Sequence, residues 1–104
     1  MTESDRDYNQ RQLGLMQRRL EQYRAGAIKL RQLIDDLEGL NSALLNPTQE
    51  WLSEFEPAWG ILEDVYAVML AEGRRALTED IDVPLIEKSL SRLSALIESQ
   101  LAAA

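Results

Sequence analysis

The chain has 104 residues, of which 45% are hydrophobic, and it contains neither cysteine nor histidine. The missing residue types exclude disulfides, thiolate nucleophiles, thiolate zinc sites, histidine bases and histidine-ligated metals. The formal net charge of −7 is uneven, because residues 1–34 sum to +3 and residues 35–104 to −10. Such an acidic body disfavours nucleic acid and anionic membranes, and it either speeds encounter with a basic partner or only keeps a cytoplasmic protein soluble.

This length fits one domain, residues 1–104, with about four helices around one core. We expect residues 1–6 and 102–104 to be frayed. The polar start has no apolar core of signal-peptide length, and no apolar run approaches the roughly 18 residues of a membrane span. We therefore expect a cytoplasmic protein without a membrane segment.

A first helix is predicted for residues 7–24, and its apolar stripe consists of Leu13, Met16, Leu20 and Tyr23. Its arginines are interrupted by Gln and Glu, so we interpret them as a solvated face instead of a nucleic-acid arm. Gly26 is expected to take the positive φ of a helix C-terminus.

A second helix is predicted for residues 29–45, with an apolar face of Leu30, Leu33, Ile34, Leu37, Leu40 and Leu44. Arg31 and Asp35 are spaced for an i,i+4 ion pair. Asp36 lies at the edge of the apolar face, where a carboxylate is either solvated or needs a partner from another helix.

The third helix contains the aromatic stretch of the chain. Asn46 is predicted to be its N-cap, with Pro47 in the first turn and Gln49 completing a capping box. Helical spacing predicts a core face made of Trp51, Phe55, Trp59, Leu62, Tyr66 and Met69, widened by Ala58, Val65 and Leu70. Pro57 is expected to kink or split this central helix.

Small residues lie opposite the aromatic stripe, at Ser53, Gly60, Ala67 and Ala71, where a second segment could approach closely. After a loop over residues 72–83, with Gly73 as the helix stop, Asp80 or Asp82 is expected to cap a fourth helix whose first turn contains Pro84. Its apolar face comprises Leu85, Ile86, Leu90, Leu93, Leu96, Ile97 and Leu101. The predicted fold is all-α, a compact bundle of about four antiparallel helices.

Carboxylate pairs occur at Glu50 with Glu54, Glu63 with Asp64, and Asp35 with Asp36. Adjacent acids on a helix diverge by about 100°, and the di-iron motif of helical bundles requires histidine. The glycines are scattered, so no phosphate loop is formed. We therefore expect no enzyme activity, no catalytic residue, no cofactor and no metal site, and we interpret the aromatic stripe as core packing instead of a ligand pocket.

Two phrases carry a family resemblance: residues 33–40, LIDDLEGL, and residues 59–67, WGILEDVYA. Together with Trp51 and Phe55 they resemble a family of small helical bacterial proteins, similar to immunity proteins carried beside polymorphic or contact-dependent toxins. The resemblance covers about residues 26–97. The sequence differs from the family pattern at two places. The first is the start of the second helix, residues 28–30, where the family often has a capping hydroxyl side chain. The second is Pro57.

The resemblance implies a protein that neutralises a cognate toxin by steric and electrostatic occlusion, with the toxin basic and encoded by a neighbouring gene. From charge and helix phase, the candidate partner-binding residues are Asp35, Glu38, Glu63, Asp64, Glu79, Asp80 and Asp82. Two alternatives stay open: a self-associating structural or regulatory module, and a chaperone for an exported effector. The sequence leaves monomer and homodimer equally open.

Overall fold

A computed structural model describes residues 3–103 of the protein. It contains four helices in this range: α1 (Glu3–Arg24), α2 (Leu30–Ser42), α3 (Gln49–Ala71) and α4 (Asp82–Ala102). The contacting pairs are α1 with α2, α2 with α3, α3 with α4, and α4 with α1. The described helices therefore close a ring around one core, and the prediction of an all-α fold with four helices is confirmed. The antiparallel arrangement stays a prediction.

The core is built from the apolar stripes that helical periodicity predicts. The buried apolar residues are Leu13, Met16, Leu20, Leu30, Leu33, Ile34, Leu37, Trp51, Phe55, Ala58, Leu62, Val65, Met69, Ile86, Leu90, Leu93 and Ile97. Trp51 and Phe55 stack with their ring centroids 5.6 Å apart. Every helix contributes to this set, so the core is shared among all four.

Nine residues of the predicted core faces are not fully enclosed in the described structure. Seven are half-buried: Tyr23, Leu40, Leu44, Trp59, Tyr66, Leu96 and Leu101. The other two, Leu70 and Leu85, are 56% and 44% exposed. The prediction was wrong for both leucines, because each is one residue, or about 100° of helix, from a buried neighbour. Within the described range no Cα atom of α3 lies within 8 Å of a Cα atom of α1, so α3 forms one wall of the ring opposite α1.

The outer helix ends differ from the predicted ones. Helix α1 begins at Glu3 and α4 continues to Ala102, so both helices extend into the segments predicted to fray, and fraying there stays a prediction. Of those segments, residues 1, 2 and 104 lie outside the described range.

The connection between α2 and α3 corrects the predicted cap. Helix α2 already ends at Ser42, and Asn46 has a φ of 50°, which is incompatible with the extended backbone of an N-cap. Thr48 is the N-cap instead, and its Oγ1 accepts a hydrogen bond from the Trp51 backbone N at 3.1 Å. Asn9 of α1 holds this loop, since its side chain exchanges two hydrogen bonds, of 2.8 and 2.9 Å, with the Leu45 backbone.

Two glycines end helices as predicted. Gly26 has a φ of 78° and Gly73 a φ of 69°, values that are strained for residues with a Cβ. After each glycine the chain turns back: the Ala27 N donates to the Gln22 O at 2.8 Å, and the Arg74 N donates to the Met69 O at 2.9 Å. These bonds satisfy carbonyls that the helix ends would leave unpaired.

Pro57 lies within α3, which runs without a break from Gln49 to Ala71. The helix is therefore not divided, and a kink at Pro57 stays a prediction. A buried polar contact joins α3 and α4. The hydroxyl of Ser89, which is fully buried in α4, donates a hydrogen bond to the backbone carbonyl of Ala58 in α3. Sequence reasoning had not identified Ser89.

The structure contains two ion pairs that the sequence analysis considered. The Asp36 Oδ2 lies 3.0 Å from the Arg19 Nε of α1, with both side chains 31% exposed, so the edge carboxylate has its partner on another helix. Arg31 and Asp35 form the expected i,i+4 pair at 3.2 Å. Among the described helices, none has the combination of length and apolar character required to cross a lipid bilayer.

Candidate partner-binding surfaces

The acidic candidates of α2 are both available at the surface. Asp35 and Glu38 are exposed and lie three positions apart, which places them on one side of the helix. The charge of Asp35 is shared with Arg31, and this pair contributes little to stability because its side chains are 58% and 62% exposed. Within the described range Glu38 has no ion-pair partner, so its whole charge faces solvent.

Helix α3 adds Glu63 and Asp64, which are also exposed. Glu63 lies four residues after Trp59 and three before Tyr66, on the ridge of α3 that adjoins α2. Two contacts define that seam: the Trp59 Nε1 donates to the Ile34 O at 3.0 Å, and the Arg31 guanidinium lies 5.7 Å from the Tyr66 ring centroid. Glu63 is thus on the side of the molecule that carries Arg31, whereas Asp64 is turned away from it by about 100°.

We call this surface the α2–α3 face and define it by Arg31, Asp35, Glu38, Trp59, Glu63 and Tyr66. It combines three exposed carboxylates with two half-buried aromatic rings. The hydrogen bond of the Trp59 indole and the cation over the Tyr66 ring hold these rings in place. Aromatic side chains and arginine are residue types that protein interfaces favour, whereas Asp and Glu are depleted at the centres of interfaces.

The third acidic cluster does not act as one unit. Glu79 and Asp80 are exposed, but Asp82 is 5% exposed. The Asp82 Oδ2 accepts hydrogen bonds from the Arg74 Nη1 at 2.7 Å and from the Thr78 backbone N at 2.9 Å. Its own backbone N donates to the Thr78 Oγ1 at 3.1 Å. Asp82 therefore closes the loop between α3 and α4 and offers a partner no free carboxylate.

The same contacts correct the predicted cap of α4. The residue before the helix is Ile81, which makes no side-chain cap, and Asp82 is the first helical residue. Hydrogen bonding from the Thr78 backbone, followed by that from Arg74, holds the pKa of Asp82 below its ordinary value. The hydrogen bonds to Asp82 and to Glu72 raise the pKa of Arg74. Both groups are charged at neutral pH, and each stabilises the charge of the other.

Sequence reasoning missed Arg74 and Thr78. The capping-box pattern places a threonine three residues before an acidic residue, whereas Thr78 precedes Asp82 by four, so that pattern gives no signal for this pair. No sequence pattern predicts the contact of Arg74 with Asp82, because only the folding of the loop brings the two side chains together.

Most exposed large apolar side chains of the described structure belong to one stretch of the sequence. Of the six among residues 3–103, five belong to residues 68–85: Val68, Leu70, Ile81, Val83 and Leu85. Ile81 is 62% exposed and follows Glu79 and Asp80 directly. We call these five residues together with Glu79 and Asp80 the α3–α4 corner. Exposed apolar side chains in one short stretch of a small domain are candidates for an interaction surface.

The described residues contain no group of three or more acidic side chains arranged to hold a metal ion. The chain matches no family model, no curated protein sequence and no solved structure.

Proposed function

We propose that this protein is an immunity-type binding protein, which blocks a cognate bacterial toxin by covering it and not by a chemical reaction. The observation that carries the proposal is the α3–α4 corner, where exposed Ile81, Val83 and Leu85 follow the exposed carboxylates of Glu79 and Asp80 in the sequence. Apolar anchors inside a charged rim are the composition of a protein interface. The resemblance of residues 33–40 and 59–67 to immunity proteins supplies the biological class.

Charge supports a basic toxin as the partner. Six of the seven acidic candidates are exposed, and the chain carries a net charge of −7. Opposite charge on the toxin would raise the association rate, which would fall as salt is added. The apolar anchors would chiefly set the dissociation rate, because most affinity differences among related interfaces arise there.

We infer that the helices run antiparallel to their neighbours in the ring. Contacts between opposite helix ends support this arrangement. Asn9, early in α1, bonds to Leu45 beyond the end of α2. Asn41, late in α2, bonds to Trp51 at the start of α3. A bundle of this kind offers rigid helix faces, so little conformational entropy is lost when a toxin binds.

The first test is co-expression with the product of the adjacent gene. Rescue of growth and co-purification of a stable complex are the expected results when that product is toxic. If the product is toxic and this chain neither rescues growth nor binds it, the immunity proposal is wrong for that pair. A stable complex in which the toxin stays active points to the effector-chaperone alternative.

The second test separates the two surfaces within such a complex. Ile81→Ser with Leu85→Ser should raise the dissociation rate about tenfold or more, as loss of interface anchors does. Leu45→Ser is the matched control, since Leu45 is 39% exposed but lies outside the corner. Equal dissociation rates for the corner variant and the control would remove the corner from the interface.

The α2–α3 face is tested through the association rate. Asp35→Asn with Glu38→Gln should slow association severalfold at low salt and have little effect at high salt. Glu79→Gln with Asp80→Asn makes the same charge change at the corner. The pair with the larger effect identifies the surface that meets the toxin, and an unchanged rate for both pairs contradicts electrostatic steering.

Self-association is the second candidate, and one observation favours it. Ala67, Val68, Leu70 and Ala71 are all exposed at the end of α3, and a Cβ added to Gly60 would meet no atom within 4 Å. A second copy could therefore approach α3 closely. Sedimentation equilibrium at tens of micromolar decides between the states: a dimer abolished by Ala67→Arg supports self-association, and a monomer excludes it at that concentration.

A further inference from the structure

A groove of about 470 Å³ opens between the end of α1, the start of α2, the end of α3 and the loop that follows. Its walls are mostly apolar and include Tyr23, Leu30, Tyr66, Met69 and Leu77. Leu30 and Met69 belong to the buried core, so the groove reaches down to it. This volume lies within the range of about 300–1,000 Å³ that is usual for small-molecule sites.

The charged groups of the groove all have one sign. Lys29, Arg31, Arg74 and Arg75 line it, and no acidic side chain does. Arg31 and Arg74 are engaged with carboxylates outside the lining. Lys29 and Arg75 are exposed and make no ion pair within residues 3–103. A protein with a net charge of −7 thus holds two uncompensated cations beside an apolar cleft.

We propose that this groove binds a small organic anion with an apolar body, a carboxylate on a medium-length alkyl chain or an aryl group. The apolar body would lie against Tyr66, Met69 and Leu77, where it leaves water. The carboxylate would meet Lys29 and Arg75 at the rim, since an ammonium and a guanidinium both form charge-assisted hydrogen bonds to it. Burial and the charge of Glu87 raise the pKa of Tyr23, so its hydroxyl stays a neutral donor at neutral pH.

The net charge of the protein makes it possible to distinguish a specific anion site from general electrostatic attraction. A protein of net charge −7 attracts cationic amphiphiles and repels anionic ones over its surface as a whole. Preference for the anion therefore has to come from a local site. The proposal is independent of toxin binding, because the small anion needs neither the α3–α4 corner's carboxylates nor a toxin.

The experiment is a titration of the full chain, labelled with ¹⁵N, with sodium decanoate below its critical micelle concentration. Saturable amide shifts are expected at residues 29–31 and 66–77. Decyltrimethylammonium, with the same alkyl length and the opposite charge, should not saturate these residues. The proposal is overturned if decanoate produces no saturable shift, or if the ammonium compound binds there equally well.

Variants locate the two halves of the ligand. Lys29→Gln with Arg75→Gln should weaken decanoate binding about tenfold, since each lost charge near a carboxylate removes an attraction of the size expected at a hydrated surface. Arg18→Gln with Lys88→Gln is the matched control, because both residues are exposed, form no ion pair in the described range and lie outside the groove. If both double variants weakened decanoate binding equally, the loss of affinity would follow from the change in net charge alone, and the proposed site would be refuted.

Leu70 tests the apolar half, because it lines the groove and is 56% exposed, so its replacement spares the core. Leu70→Ser should weaken decanoate binding severalfold, whereas Leu45→Ser, at the other end of α2, should not change it. Unchanged binding by Leu70→Ser together with Lys29→Gln and Arg75→Gln would place the anion elsewhere on the protein.

Discussion

The hydrogen bond between Trp51 and Asn41 should be one of the strongest single polar contacts in the bundle. The Trp51 indole is 2% exposed and stacks on Phe55, and its Nε1 donates to the Asn41 Oδ1 at 2.7 Å. Asn41→Ala removes the acceptor and leaves the donor in the core. An unsatisfied buried donor costs about 1–3 kcal/mol, so the free energy of unfolding should fall by that amount.

The measurement is urea unfolding followed by circular dichroism, applied to a double-mutant cycle. The cycle comprises Asn41→Ala, Trp51→Phe and the two changes combined. Because Trp51→Phe also removes the indole donor, Asn41→Ala should cost much less in that background. We expect a coupling free energy of about 1 kcal/mol, within the range of about 0.5–3 kcal/mol for residues in contact. In a domain of this size, each 1 kcal/mol corresponds to a change in Tm of about 4–8 °C.

Gln32→Ala is the control, because Gln32 lies on the same helix, is exposed and its side chain makes no hydrogen bond in the described range. Its effect should stay within about 0.5 kcal/mol. A coupling free energy below about 0.3 kcal/mol would refute the reasoning, since water would then satisfy the indole as well as Asn41 does. The contact bears on the proposed α2–α3 face because it fixes α2, which carries Asp35 and Glu38, against α3.

Three further outcomes are expected. Pro57→Ala should stabilise the protein by about 1–3 kcal/mol, because proline inside a helix removes a backbone hydrogen bond; lower stability in urea unfolding would show that packing depends on a bend at Pro57. The pKa of Asp82 is lowered in the folded state, so its charge stabilises the fold above the ordinary carboxyl pKa, and this contribution disappears as pH falls through the lower folded pKa. Asp82→Asn should therefore unfold at lower urea than wild type at neutral pH, with the gap closing in acid; a constant gap contradicts the linkage. Gly73→Ala should destabilise the protein by about 1 kcal/mol, because Gly73 has a φ of 69°. Gly14→Ala, inside α1, should stabilise it by up to about 1 kcal/mol. Equal Tm shifts for the two variants would contradict the explanation from backbone conformation.

Local rules predicted the elements of this fold well. Apolar residues repeat with helical spacing from Leu13 to Ile97, and Gly26 and Gly73 take the left-handed conformation at helix ends. Errors concentrated at the helix starts. Asn46 and Asp82 are both good capping types, but the N-caps are Thr48 and Ile81, because a cap depends on how the preceding loop folds as well as on residue type.

The candidate surfaces were predictable only in part, for a reason visible in the acidic residues. Charge and helix phase place Asp35, Glu38 and Glu63 outside the core, and all three are exposed. The same reasoning grouped Asp82 with Asp80. Its burial depends on Arg74, eight residues earlier, whose guanidinium reaches it only after the loop has folded back.

By itself, the sequence determined that the protein is all-helical, which residues form most of its core, and that its surface is predominantly acidic. These properties follow from short-range periodicity and from composition, which act within a helix turn or over the whole chain. Tertiary structure decided which separated groups lie together, such as the basic residues around the groove. These come from positions as far apart as Lys29 and Arg75, and only the packing of one helix against another brings them to the same place.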